Sequence, residues 1–95
     1  MKKFMEKVNE KMNELKVRQI EMVVTELLRA RRIGSRDSEV YFTKRIIEIT
    51  EEAYGRKSKD IFIDETNVNV VFNYSYVVFS LKDGKFSIDI KELSK

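Results

Sequence analysis

The chain has 95 residues, 42% of them hydrophobic and 37% charged, with a net charge of +3 and neither cysteine nor histidine. That is the length of a single domain, 1–95, with a modest core. The missing residue types exclude a disulfide framework, a thiolate nucleophile, cysteine-ligated zinc or iron–sulfur centres and the usual imidazole base, so neither a cofactor nor a resident metal is expected.

The charge is unevenly placed. Residues 1–36 carry ten Lys/Arg against five acids, whereas residues 37–95 carry nine against eleven. A positive N-terminal part suits nucleic acid or an acidic partner. The Met1-Lys2-Lys3 start runs into Phe4, Met5 and then Glu6, which is no signal-peptide apolar stretch. Nor do about 18 consecutive apolar residues occur anywhere, so no membrane span and a cytoplasmic location are expected. Scarce Gln, no Cys, and abundant Lys, Glu and Arg suit a thermophile, although five asparagines pull the other way.

From Lys3 to Ile33 no Gly or Pro occurs and apolar residues recur at helical spacing. Met5, Val8, Met12 and Leu15 make one stripe; Ile20, Val23, Val24, Leu27 and Leu28 make another, about a third of a turn away. Either the helix breaks near residues 15–17 or one long helix shows different faces to different partners. Gly34 is placed for a left-handed stop. A second helix is expected to start at Asp37 or Ser38 as N-cap, to bury Phe42, Ile46, Ile49 and Ala53, and to end at Gly55. Val40, Ile47 and Tyr54 widen its apolar face.

After Arg56-Lys57-Ser58-Lys59 the period changes to that of strands. Residues 61–64 and 68–72 are rich in β-branched and aromatic side chains. In residues 77–90, Asp83-Gly84 signals a two-residue hairpin that sets Leu81 against Phe86, Phe79 against Ile88 and Val77 against Ile90. Phe72, Tyr74 and Tyr76 lie on even positions and Val77, Phe79 and Leu81 on odd ones, which a turn at 73–75 or a bulge near Tyr76 reconciles; the turn is preferred. Helices first and strands afterwards argue an α+β fold: two helices on a three- or four-stranded antiparallel meander.

The sharpest charge feature is Arg29, Arg31, Arg32 and Arg36, four guanidinium forks within eight positions, matched in geometry to phosphate oxygens. Arg56, Lys57 and Lys59 form a second cluster after the second helix. Cations at helix C-termini also complement the macrodipole, so both clusters have a local explanation. With antiparallel helices the two would lie at opposite ends of the pair. A winged-helix arrangement is disfavoured, because residues 38–54 read as one uninterrupted helix with no turn before the hairpin.

Phe72, Tyr74 and Tyr76 in alternation suit a base-stacking platform, but such aromatics more often belong to a core. Glu48, Glu51 and Glu52 lie opposite the apolar stripe as a solvated face, not as an acid/base pair. Three isolated glycines build neither a phosphate-cradling loop nor a nucleophile elbow. Asp89-Ile90-Lys91 on the last strand resembles the acid-x-Lys half of the PD-(D/E)xK nucleases over about fifteen residues. That resemblance implies a divalent metal held by Asp89 and further acids, with Lys91 orienting water. Its preceding strand offers Ser80, Val78 and Tyr76 in place of an acid, and Asp60, Asp64 or Glu65 serve only if the fold brings them alongside.

The stripe of Met5, Val8, Met12 and Leu15, within a possible extension over residues 1–16, is expected to be covered by a second copy of the chain. The sequence therefore points to a non-enzymatic binding protein, a homodimer contacting DNA or RNA through a basic helix end. A protein-interaction or assembly module is the alternative, and a small metal-dependent nuclease a further one. No membrane or small-molecule partner is indicated.

Overall fold

The computed structural model describes residues 14–92. Helix α1 (Glu14–Ile33) and helix α2 (Arg36–Tyr54) precede strands β1 (Asp60–Ile63), β2 (Asn67–Val71), β3 (Ser75–Lys82) and β4 (Lys85–Glu92). The strands form one antiparallel sheet in the order β1-β2-β3-β4, with the helices packed on one face. The fold is α+β, with four strands in the meander.

Helix α1 runs unbroken through residues 15–17; Met5, Val8 and Met12 of the first stripe lie outside the described residues. Ile20, Val24, Leu27, Leu28 and Ala30 are buried, whereas Leu15 is 73% exposed. The helix stops at Gly34, whose φ of 76° a Cβ would strain. There Ser35 N–H donates to Ala30 O at 2.9 Å.

Only Gly34 and Ser35 separate the helices, a connection that favours antiparallel pairing. Two ion pairs hold this pairing, Lys16–Glu52 at one end and Arg31–Glu39 at the other. The second helix starts earlier than expected: Ser35, not Asp37 or Ser38, is the N-cap, and its side chain makes no capping bond. The tight turn decides this, since Glu39 N–H already donates to Ser35 O at 2.9 Å. Ile46, Ile49, Ala53 and Tyr54 are buried as expected; Val40, one turn from the helix start, is 55% exposed. Thr50, buried among them, satisfies its hydroxyl on Ile46 O.

The hairpin register is the expected one, Leu81↔Phe86, Phe79↔Ile88 and Val77↔Ile90, about a turn in which Asp83 (φ 52°) and Gly84 (φ 75°) are both left-handed. A second tight turn joins β2 to β3, with Phe72 N–H donating to Ser75 O at 2.8 Å. This turn, and no bulge, resolves the change of phase. The inner face then carries Val68, Val70, Val77 and Phe79, all fully buried, with Ile61, Ile63, Leu81, Phe86, Ile88 and Ile90 packed at its margins. Tyr54 stacks on Phe72 with ring centroids 4.7 Å apart, joining the end of α2 to the β2–β3 turn. Such a pair adds roughly 1 kcal/mol beyond its area burial.

Among the described residues no helix is long and apolar enough to cross a membrane.

Candidate nucleic-acid interface

The arginines of the α1–α2 turn are sorted by helix geometry. At about 100° per residue, Arg31 falls on the side of α1 that faces α2 and the sheet, while Arg29 and Arg32, three apart, share an outward side. Arg31 accordingly donates to Glu39 Oε2 at 2.9 Å. Its charge also reaches Asp64 in the β1–β2 turn and helps hold that carboxyl low. Larger contributions there come from the Thr66 N–H and the Asn67 side chain, which donate to the Asp64 carboxylate. Arg32 lines a cleft with Leu28, Arg31, Asp64, Glu65 and Thr66. The acids of that cleft come from a turn about 30 residues further along the chain.

Arg29, Arg32 and Arg36 are exposed, and among the described residues none of them makes an ion pair. The helix dipole accounts for Arg32 in the last turn of α1, with Arg29 one turn before it. It does not account for Arg36. That residue occupies the first turn of α2, where the dipole is positive and a cation is disfavoured.

The second cluster is at the far end of the helix pair, as antiparallel packing requires. Nineteen residues of α2 separate the two, about 28 Å at 1.5 Å per residue. The seven cations do not form one patch. Lys57 pairs with Glu51 at 3.9 Å. Ser58 donates to the same carboxylate through its N–H at 2.7 Å and its hydroxyl at 2.8 Å, which holds Glu51 below the ordinary glutamate range. Lys59 is exposed, with its backbone N–H on Val71 O.

The remaining candidates are dispersed. Phe72 is in the core, Tyr74 is 57% exposed at the tip of the β2–β3 turn, and Tyr76 lies half-buried on the outer sheet face. The turn that reverses the chain at 73–74 separates them, so no row of three stacking rings exists. Tyr76 shares the outer face instead with Phe62, 58% exposed on β1. Asp89 on β4 faces Val78, and its only ion-pair partner among the described residues is Lys91 at 3.8 Å. Asp60, Asp64 and Glu65 are at the opposite edge of the sheet, three strand spacings or about 14 Å away. No group of three His, Cys, Asp or Glu side chains among the described residues is placed to hold a metal ion. Glu48 pairs with Arg45 and Glu52 with Lys16 on the solvated side of α2.

Of the N-terminal stripe, Met5, Val8 and Met12 lie outside the described residues; Leu15 is within them and exposed. The sequence reading missed Glu39, Asp64 and Glu65 as neighbours of the arginines. Only Glu39 carried a local signal, as an acid in the first turn of α2. No known protein family matches the chain, and comparisons with curated proteins and with solved structures found no match.

Proposed function

We propose that this is a non-enzymatic binding protein whose α1–α2 turn contacts the phosphate backbone of DNA or RNA through Arg29, Arg32 and Arg36. The observation that carries the reading is Arg36. It is an exposed cation at a helix start, unpaired among the described residues, where the dipole argument that explains its neighbours works against it. Three exposed guanidinium groups then flank one turn without an ion pair among the described residues, although Asp64 and Glu65 share a cleft with Arg32, while Arg31 is committed to Glu39 and stiffens the junction. Phosphate oxygens are the acceptors that such forks fit best. On this reading the cluster of Arg56, Lys57 and Lys59, at the far end of the helix pair and with Lys57 engaged by Glu51, lies outside the contact.

Fluorescence anisotropy with a labelled oligonucleotide tests it. Arg32→Gln/Arg36→Gln should lose most of the salt-sensitive affinity, and Lys57→Gln/Lys59→Gln little of it. Equal loss in both variants would mean diffuse charge attraction and no site at the turn.

A further inference from the structure

The two edges of the sheet are treated differently. Strand β1 ends the sheet with only four residues, of which Asp60 is one, a short and charged edge of the kind that resists further pairing. Strand β4 is eight residues long and pairs with β3 without interruption from Glu92 to Lys85. It has no bulge and no proline. Its inward residues Phe86, Ile88 and Ile90 are only half-buried, at the margin of the core.

The hairpin decides which backbone groups of β4 are free. In a two-residue turn the flanking pair, here Lys82 and Lys85, exchanges hydrogen bonds, and the pairs alternate from there. Leu81 fits this alternation, because its N–H points away from β4 and donates to Thr66 O at 2.8 Å. Lys85, Ser87, Asp89 and Lys91 therefore direct their backbone groups to β3. Phe86, Ile88 and Ile90 direct theirs outward, to an edge that no strand among the described residues pairs.

We propose that this edge pairs antiparallel with β4 of a second copy of the chain, about a two-fold axis passing through Ser87. An axis perpendicular to the sheet keeps the apolar faces of both copies on one side, and it must then pass through a residue position, not between two. At Ser87, Phe86 faces the partner's Ile88 on the apolar side. On the outer side Lys85 faces the partner's Asp89. Each contact occurs twice by symmetry.

The neighbouring registers are worse. An axis at Ile88 sets Lys85 against the partner's Lys91. One at Asp89 opposes two carboxylates, and one at Phe86 pairs only residues 85–87 of each strand before the turn intervenes. An axis at Ile90 places Ile88 against the partner's Glu92 on the apolar side. The Ile90 register also sets Lys91 against the partner's Asp89, but only the Ser87 register opposes Lys85 to an acid while keeping acids off the apolar side. The product is an eight-stranded sheet with four helices on one face, and it does not depend on the phosphate reading.

The test is made on the full chain, which contains no cysteine. Ser87→Cys should give a covalent dimer on mild oxidation, because the two positions form a non-hydrogen-bonded pair with Cα atoms about 4.5 Å apart, within disulfide range. Ser80→Cys, on β3 and away from the axis, should not. By sedimentation, Lys85→Asp and Asp89→Lys should each weaken the dimer about ten-fold, by turning two unlike-charge contacts into like-charge ones, and the combined variant should restore it. Leu15→Glu should leave it intact. A chain that stays monomeric at high concentration overturns the proposal. So does a dimer that neither cross-links through Ser87→Cys nor responds to the charge reversals, whatever its interface.

Discussion

Salt dependence gives the proposed phosphate contact a number that the geometry sets in advance. Of the four turn arginines, Arg31 is held by Glu39 at 2.9 Å, which leaves Arg29, Arg32 and Arg36 to displace counterions. Three phosphate contacts predict a slope of log affinity against log salt of about −2.7 on duplex DNA and about −2 on a single strand. Between about 50 and 200 mM salt, affinity should then fall roughly 40-fold on duplex and roughly 20-fold on single strand. Arg32→Gln/Arg36→Gln leaves one contact, a slope near −0.9 on duplex and a fall of only about four-fold over the same range. Both side chains are exposed, so stability should change by no more than about 0.5 kcal/mol. Arg31→Gln is the internal control: it removes an ion pair worth under about 1 kcal/mol and should leave the slope unchanged. Anisotropy titrations at four or more salt concentrations read every slope. A slope insensitive to Arg32→Gln/Arg36→Gln, or one that falls as much with Arg31→Gln, refutes the reasoning from free and committed guanidinium groups.

Other parts of the molecule make independent expectations. Ser75 is 1% exposed and its hydroxyl has no hydrogen-bond partner among the described residues; Ser75→Ala should stabilise by about 1 kcal/mol, and a lower melting temperature by calorimetry would show that the hydroxyl is satisfied. A Cβ at Gly34 meets nothing within 4 Å, so Gly34→Ala pays only for its φ of +76°, about 1 kcal/mol in a urea titration, with a much larger loss contradicting the open surroundings. Backbone and side-chain donors from Thr66 and Asn67 hold the Asp64 carboxyl below its ordinary value. A depressed folded value means that its contribution to stability is complete above the ordinary aspartate range and disappears as pH falls through the folded value. The stability gap between wild type and Asp64→Ala should therefore close on acidification, and a gap that widens instead would reverse the assignment.

Local chemistry was sufficient for much of the fold. Asp83-Gly84 with alternating apolar neighbours dictates one hairpin, because a two-residue turn with both residues left-handed leaves a single register that buries Leu81, Phe79 and Val77 together with their partners. Gly34 and Gly55 end the helices for the same conformational reason, and a two-residue connection favours the antiparallel pairing of α1 and α2 that the Lys16–Glu52 and Arg31–Glu39 pairs hold. Other features depend on residues far apart in sequence. The N-cap moved to Ser35 because the Gly34 turn and the Arg31–Glu39 pair start α2 ahead of the better capping residues Asp37 and Ser38. Phe72, Tyr74 and Tyr76 look alike as a row and end in the core, at a turn tip and on the outer face, since a chain reversal intervenes. The arginine cluster shows the same division most clearly. Sequence spacing alone put four guanidinium groups on one turn, but the helix angle, the packing of α2 and the β1–β2 turn decided that Arg31 is neutralised. They also left Arg29, Arg32 and Arg36 facing water, because ion pairing is settled by distances of a few ångströms that sequence separation does not encode.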